Sequence, residues 1–294
     1  MRVTPDLWTY VAKRIGDAQG RRIKVIGANG VGGGCINSAF TLHCEDSDYF
    51  VKLNQAASLG MFEAEAEGLE ELRQPGVIRV PEPVCCGTQG ETSFLVLEQL
   101  SLGHADSASS ELLGRQLAKL HQTTHSHFGW RRDNTIGSTL QKNLLNQDWP
   151  VFFKVNRLQF QLDLARENGY RGTLQKLGAD LLTCAEQFFS DYRPTPSLLH
   201  GDLWGGNWAV ADDGSPVIFD PAVYYGDREA DLAMTELFGG FDEKFYAAYR
   251  EVWPLDCGYA QRKSLYNLYH VLNHLNLFGG GYLGQAESLI RRLL

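Results

Sequence analysis

The residues best suited to chemistry lie between positions 198 and 220, in the segments LLHGDLWGGNWAV and SPVIFDP. His200, Asp202 and Asn207 share a polar loop between short apolar runs, and Asp220 ends the next apolar run. Mg²⁺ prefers hard oxygen ligands, usually one or two carboxylates together with nucleotide phosphates. We therefore predict that Asn207 and Asp220 bind Mg²⁺ and that Asp202, outside the metal shell, accepts a proton from an attacking hydroxyl. Two Asx turns beside glycine would explain either loop alone.

A glycine-rich stretch, GANGVGGGC at residues 27–35, is the second feature that indicates a phosphate ligand. Clustered glycines let the backbone approach a ligand closely. They occur in the strand–loop–helix fingerprint of dinucleotide-binding proteins and in a turn between antiparallel strands of protein kinases. Apolar residues alternate from Ile36 to Cys44, which predicts a strand and favours the second arrangement. A flexible loop that binds nothing is a third interpretation.

A lysine and a glutamate follow the glycines in an order that suits nucleotide binding. Lys52 lies in the predicted strand 49–53 and could reach the α- and β-phosphates, although a solvated lysine at a sheet edge would look the same. The predicted helix 58–72 carries five glutamates, and we expect most of them to face solvent. We choose Glu65 as the partner of Lys52 and keep Glu63 as the alternative.

The elements around these residues predict two lobes. Residues 1–100 contain the order β–β–β–α–β–β, preceded by a short amphipathic helix over 5–15. The polar stretch SLGHADSASS marks the boundary, and residues 101–294 are mostly helical, with an extended excursion over 129–150. We therefore predict an α+β protein with a small antiparallel-sheet lobe that holds one helix and a larger, mostly helical lobe.

Three further carboxylates, Asp227, Glu229 and Asp231, lie within five residues of each other and could hold a metal ion. We favour a different role, in which Asp231 braces the loop of Asp202 from behind and the other two face solvent. Two histidine pairs at helical spacing are expected to pack or to face solvent rather than to bind metal, namely His121 with His125 and His270 with His274.

Composition limits the partners and the compartment. The chain has 294 residues with 27 basic and 35 acidic side chains, a net charge of −8, which argues against a nucleic-acid partner. It has no signal-peptide core at its start and no 18-residue apolar run, so we expect no membrane span. Six cysteines without a C-x-x-C pair fit a reducing, cytoplasmic compartment. Cys35 is either a small inward-facing residue or a redox switch in the glycine loop.

The ordered set of glycine loop, strand lysine, helix glutamate, H-x-D-x₄-N and strand-ending aspartate resembles the protein-kinase signature. HGD in place of HRD, and FDP in place of DFG, point to small-molecule kinases of the aminoglycoside phosphotransferase and choline kinase group. Within that group, GGGCINSAF, FVKLN, MFEAEAEGLEEL, FLVLEQL, LLHGDLWGGN and FDPAVYYGDREADLAM resemble the fructosamine kinase (ketosamine kinase) family. The resemblance covers about residues 20–240.

The resemblance implies ATP-dependent phosphorylation of the sugar 3-hydroxyl of ketosamines, the rearranged adducts of sugars with amines. The product would be unstable and release the amine, which repairs glycation. The implied cofactors are ATP and Mg²⁺. The resemblance implies that Asp202 is the catalytic base and that Asn207 and Asp220 are the metal ligands. It implies that Lys52, positioned by Glu65, binds the phosphates. It also implies that Gly32, Gly33 and Gly34 cover the phosphates and that Glu98, Gln99 and Leu100 form a hinge whose backbone meets adenine.

The acceptor pocket has no recognisable motif. Trp204, Tyr224, Tyr225 and the 129–150 excursion are candidates to contact the sugar, and core packing is an equal expectation for each aromatic residue. Two other functions stay open: a kinase of another small acceptor, such as an aminoglycoside, choline or a free sugar, and a pseudokinase that binds a nucleotide without catalysis. A pseudokinase would be expected to lack one of the catalytic residues, and this chain has them all.

Overall fold

The computed structural model describes residues 5–32 and 36–294. The part before position 99 contains a five-stranded antiparallel sheet in the order β1-β2-β3-β5-β4. Its strands are β1 (Val25–Val31), β2 (Ser38–Cys44), β3 (Tyr49–Gln55), β4 (Pro83–Gln89) and β5 (Thr92–Glu98). Strand β1 includes the first glycines of the glycine-rich stretch, so the loop between β1 and β2 is shorter than the sequence pattern suggests.

Side chains alternate between the two faces of this sheet, and each face is covered by one helix. Helix α1 (Pro5–Gln19) packs the stripe of Leu7, Val11 and Ile15 against the face that carries Val51. Helix α2 (Leu59–Arg73) lies on the opposite face, to which Lys52 projects. The small lobe, which we define as this sheet with α1 and α2, therefore includes the amphipathic helix predicted over 5–15 in addition to the one helix that was assigned to the lobe, because the apolar stripe of α1 also requires a buried surface.

The rest of the described chain forms a larger, mostly helical lobe. Its α-helices are α3 (Ser107–His121), α4 (Trp149–Phe153), α5 (Phe160–Glu167), α6 (Thr173–Cys184), α7 (Glu229–Leu237), α8 (Glu243–Val252), α9 (Tyr259–Phe278) and α10 (Leu283–Leu293). A π-helical turn, Lys154–Gln159, joins α4 to α5 in one continuous helical run. Among the described residues, no helix combines the length and the hydropathy that a membrane crossing requires.

Short antiparallel strand pairs position the chemically capable segment on this helical base. Strand β8 (Ser197–Leu199) pairs with β11 (Tyr224–Gly226), and β9 (Trp208–Val210) pairs with β10 (Pro216–Ile218). The polar loop with Asp202 therefore lies between β8 and β9, and Asp220 follows β10. The 129–150 excursion is not a loop throughout, because it contains the hairpin of β6 (Asn134–Ile136) and β7 (Thr139–Gln141).

Candidate active site

A cavity of about 600 Å³ lies between the sheet of the small lobe and the large lobe. Concave pockets with a few convergent polar groups are typical of small-molecule sites. Most of the predicted site residues line it: Gly32, Lys52, Glu65, Glu98, Gln99, Leu100, Asp202, Asn207 and Asp220. Gly33 and Gly34 lie outside the described residues, as does Cys35 with its redox hypothesis.

Lys52 is a buried residue in the middle of the sheet, not a solvated edge lysine. Its Nζ donates to Glu65 Oε1 at 2.5 Å and also to Asp220 Oδ1. Burial disfavours the charged amine, but the carboxylates of Glu65 and Asp220 outweigh this effect and raise the pKa of Lys52. Glu63 is directed elsewhere, with its carboxylate 3.8 Å from Arg132.

Asp202 and Asn207 are linked within one loop. The side-chain amide of Asn207 donates to the backbone oxygen of Asp202 at 2.8 Å and lies 3.5 Å from its carboxylate. Burial, and then the negative charges of Asp220 and Asp231, raise the pKa of Asp202 to about 7. The loop therefore holds a proton acceptor inside the cavity.

Asp220 has an unusual backbone that aims its side chain at the same cavity. Its φ of 57° is the one positive value among the described non-glycine residues. Two hydrogen bonds hold the backbone on either side of it: the Phe219 amide donates to Asn207 O at 3.1 Å, and the Ala222 amide donates to His200 O at 2.8 Å. The hydrogen bonds on both sides thus hold Asp220 in a backbone conformation that an aspartate rarely adopts.

The donor set of Asn207 and Asp220 fits a hard divalent cation. The amide nitrogen of Asn207 donates to the backbone oxygens of Asp202 and Asp220, which leaves its Oδ1 as the atom that can bind a cation. Asp220 supplies a carboxylate. One carboxylate and one amide oxygen are too few for a closed protein site, and Mg²⁺ completes its shell with phosphates and water. The described residues include no cluster of three or more His, Cys, Asp or Glu that could hold a metal ion.

Asp231, on α7, braces the loop of Asp202 from behind, as the sequence predicts. Its carboxylate accepts the backbone N–H groups of His200 and Gly201 at 2.7 and 2.8 Å. It also lies 3.2 Å from Nε2 of the buried His121, whose Nδ1 lies 2.8 Å from the Tyr249 hydroxyl. Gly201 is required here because its φ is +82° and a Cβ would lie 2.0 Å from the backbone oxygen of Ala222.

The expectation that Asp227 and Glu229 face solvent is wrong, because both are fully buried. Glu229 pairs with Arg262 from α9 at 2.7 and 3.1 Å. Asp227 accepts hydrogen bonds from the hydroxyls of Tyr266 at 2.5 Å and Tyr192 at 3.0 Å. Buried charges need such partners, and here the partners come from α9 and from the loop before β8, both distant in sequence.

The four candidates for the acceptor pocket differ in whether they line the cavity or are buried in the core. Tyr224 and Tyr225 are buried in the core, whereas Trp204 lines the cavity and is 41% exposed. The 129–150 excursion contributes Asn134, Thr135 and Gly137 to the cavity wall through its hairpin. Sequence reasoning named the excursion but not these residues, because the turn between β6 and β7 was not recognised.

An apolar slot adjoins the polar groups and was also missed by sequence reasoning. It includes Ala39, which pairs directly with Lys52 across β2 and β3. The alternation of side chains along β2 and β3 was a sequence signal that could have placed Ala39 on the same face of the sheet as Lys52. Further apolar residues of the cavity lining include Val31, Phe50, Leu97, Leu102 and Phe219. The faces of a flat aromatic ring such as adenine would suit this slot.

Comparison with known proteins assigns the family. Residues 7–294 match the sequence model described as fructosamine kinase. The chain belongs to the fructosamine kinase family. It is 47% identical over 292 residues to a probable ketoamine kinase of Synechocystis sp., with 99% of this chain and 98% of the relative covered.

Two further comparisons place this fructosamine kinase family member more closely. It is 42% identical over 277 residues to the chloroplastic protein-ribulosamine 3-kinase of Arabidopsis thaliana, which covers 92% of this chain and 84% of that protein. A crystal structure of a Haemophilus somnus protein assigned as a fructosamine-3-kinase superimposes with a TM-score of 0.90 at 30% identity, covering 98% and 97% of the two chains. The predicted family and the bilobal, protein-kinase-like α+β fold are confirmed, and strand β2 after the glycines excludes the dinucleotide-binding fold.

Proposed function

We propose that this fructosamine kinase family member transfers the γ-phosphoryl group of ATP to the sugar 3-hydroxyl of a ketosamine. One observation carries the proposal: Asp202 shares a single cavity with the Lys52–Glu65 ion pair and the oxygen donors of Asn207 and Asp220. The acceptor class is supported by the relatives, whose names are ketoamine kinase and protein-ribulosamine 3-kinase.

In this proposal Asp202 accepts the proton of the 3-hydroxyl while the hydroxyl oxygen attacks the γ-phosphorus and ADP leaves. Lys52 donates to the α- and β-phosphates, and Glu65 positions it. An ammonium group has three N–H donors, so Lys52 can keep its bond to Glu65 while it contacts phosphate. Phosphoryl transfer depends mainly on positioning and on electrostatic stabilisation, and these side chains supply both.

The remaining site residues would bind the rest of ATP. Gly32, Gly33 and Gly34 would cover the phosphates, and the backbone of Glu98, Gln99 and Leu100 would meet adenine. The Glu98 carboxylate is paired with Arg79 at 2.8 Å, and its amide donates to the backbone oxygen of Glu82 at 2.8 Å, so its backbone oxygen is the group that would meet adenine. We place the boundary between the lobes directly after this hinge, at residues 100 and 101.

Asn207 and Asp220 would hold Mg²⁺ through the amide oxygen and the carboxylate. When bound, the ion would neutralise negative charge on the phosphates. The reaction product, a ketosamine 3-phosphate, is unstable and would release the free amine, which makes deglycation the proposed outcome. Release of free lysine from a ribulose–lysine adduct, dependent on ATP, is the direct measurement of that outcome.

The test is a coupled ADP-release assay with Mg-ATP. The acceptor panel contains fructose, ribulose and erythrulose adducts of lysine, together with choline, kanamycin and free sugars. We expect turnover only with the ketosamines. Asp202→Asn is expected to lower kcat by about 10²- to 10⁴-fold, which is the usual contribution of a general base. Asp163→Asn, a change in an exposed i,i+3 ion pair, is the matched control and should leave kcat unchanged.

Each other outcome contradicts a defined part of the proposal. Turnover with choline, kanamycin or a free sugar alone would overturn the acceptor class but keep the roles of the residues. An unchanged rate for Asp202→Asn would overturn the assignment of the base. No turnover with any acceptor, while Mg-ATP still raises the melting temperature, would favour a nucleotide-binding pseudokinase.

A further inference from the structure

Helix α2, which carries Glu65, is held from two different sides. Glu65 faces Lys52 and the cavity. Glu63, Glu67 and Glu71 are spaced four residues apart and form one stripe along the helix. Because positions two residues apart in an α-helix point about 200° from each other, this stripe lies nearly opposite to Glu65. The sequence analysis expected such glutamates to face solvent.

Two consecutive arginines of the large lobe contact this stripe. Arg131 Nε lies 3.0 Å from Glu67 Oε2, and its Nη1 lies 3.3 Å from Glu71 Oε2. Arg132 Nη1 lies 2.7 Å from Glu67 Oε1, and its Nη2 donates to the backbone oxygen of Gly60 at 3.3 Å. Glu67 therefore receives both arginines, one on each carboxylate oxygen. Burial acts against its charge, but the hydrogen bonds from Arg132 and Arg131 outweigh it and lower the pKa of Glu67.

Glu71 extends the contact deeper into the large lobe. Its Oε1 accepts the hydroxyl of Tyr225 at 2.8 Å, and its Oε2 lies 3.5 Å from the indole nitrogen of Trp130. Both aromatic residues are buried. The exposed ion pairs of the stripe therefore continue into a protected polar contact, and together they form one network rather than isolated surface pairs.

The segment that carries the arginines is itself anchored. Asn134, two residues after Arg132, is buried and donates to the backbone oxygen of Val223 at 2.8 Å. Its Oδ1 accepts from Gln141 at 2.9 Å and from Asn143 at 2.8 Å. Val223 follows Asp220 by three residues. The arginines thus connect helix α2 to the same part of the large lobe that positions the Asp220 carboxylate.

We propose that Arg131 and Arg132 are positioning residues that hold helix α2 against the large lobe and so keep Glu65 within reach of Lys52. The inference rests on the proposed function, since it assigns the Lys52–Glu65 pair to phosphate binding. The hydrogen-bonded network of Arg131 and Arg132 with Glu67 and Glu71, which we call the arginine clamp, contains no residue that lines the cavity. It acts through the orientation of one helix.

The central experiment compares Arg131→Gln/Arg132→Gln with wild type in steady-state kinetics. We expect kcat/KM for Mg-ATP to fall about tenfold, with KM for the acceptor unchanged. Arg73→Gln is the matched control, because Arg73 lies on the same helix and its nearest carboxylates, those of Glu70 and Glu82, belong to the small lobe. We expect Arg73→Gln to stay within about twofold of wild type.

Salt dependence separates an electrostatic clamp from a packing role. The arginines are partly exposed, so salt screens their ion pairs. Raising NaCl from low to about 0.5 M should therefore reduce the difference in kcat/KM between wild type and the double variant. Salt weakens the ion pairs of the wild type, and the double variant already lacks these ion pairs. Arg131→Lys/Arg132→Lys keeps both charges but not the bidentate geometry and should restore part of the loss.

Hydrogen exchange tests the clamp without any turnover. Backbone amides of residues 59–73 should exchange faster in the double variant and at the wild-type rate in Arg73→Gln. If wild type turned over no acceptor, the proposed function would fail, while exchange and the ATP-induced shift in melting temperature would still test the clamp. Arg131→Gln and Arg132→Gln singly, expected to show intermediate effects, serve if the double variant does not fold. Unchanged exchange together with unchanged kcat/KM would overturn the proposal.

Discussion

Replacing Asp231 by asparagine removes the charge that holds the backbone of the loop before Asp202. The carboxylate accepts N–H groups from His200 and Gly201 at 2.7 and 2.8 Å, and it lies 3.2 Å from His121 Nε2. Asparagine offers only one oxygen, and its amide nitrogen would face N–H donors. At least one buried backbone N–H would then lose its partner.

The expected cost follows from these contacts. A hydrogen bond to a charged group contributes about 1.5–3 kcal/mol, and a buried donor without a partner costs about 1–3 kcal/mol. With the His121 contact weakened as well, we expect Asp231→Asn to lower the free energy of unfolding by about 3–5 kcal/mol. Domains are typically stable by only about 5–15 kcal/mol, so the variant should be close to its stability limit at 25 °C.

Equilibrium urea unfolding of wild type, Asp231→Asn and Asp163→Asn measures this difference. Asp163 forms an exposed pair with Arg166, and its change should cost less than about 1 kcal/mol. Burial acts against the Asp231 carboxylate, but the hydrogen bonds from His121 and the Gly201 amide outweigh it and lower its pKa. Its stabilisation is therefore fully present above the ordinary pKa of about 3.9 and is lost as the pH falls below that value. A cost below about 1 kcal/mol between pH 5 and 8 would refute the bracing role.

Three other changes have defined outcomes. Gly201→Ala should cost more than about 3 kcal/mol in urea unfolding, because φ is +82° and the new Cβ would lie 2.0 Å from a backbone oxygen; a neutral change would contradict this. Glu65→Gln should lower kcat/KM for Mg-ATP at least about tenfold, whereas Glu63→Gln should change it less than about twofold, and equal effects would contradict the assignment of Glu65. Burial lowers the pKa of His270 from 6.5 to about 3, so the unfolded chain binds one more proton than the native protein between these values. Stability should therefore fall with decreasing pH in that window, by up to about 1.4 kcal/mol per pH unit, and His270→Gln should reduce this slope in urea titrations at a series of pH values.

Much of the small lobe follows from local sequence signals. The alternation around Lys52 predicts a strand with two distinct faces, and the structure places an apolar layer on one face and the cavity on the other. The apolar stripe of α1 predicts a helix, but its partner could not be read from the stripe. Whether such a helix covers the sheet depends on contacts between residues that are far apart in sequence, and a local pattern carries no information on those.

The errors in the large lobe have the same physical origin. Asp227 and Glu229 look like solvated residues because charged side chains are rarely buried without partners. Their partners are distant in sequence: Arg262 and Tyr266 lie on α9, and Tyr192 lies in the loop before β8. The hairpin β6–β7 was missed because its strands are three residues each, too short for a periodic signal.

The sequence by itself determined the family, the order of the motifs and the side chains with the chemistry for phosphoryl transfer, because these depend on residue type and spacing. The tertiary structure alone decided that Glu65 rather than Glu63 meets Lys52, since that depends on how α2 is rotated about its axis. It also decided that Arg131 and Arg132 reach the opposite side of that helix. The rotation of a helix about its axis and the docking of another segment against it depend on packing between segments that are distant in sequence. A motif depends on the chemistry of residues at single positions.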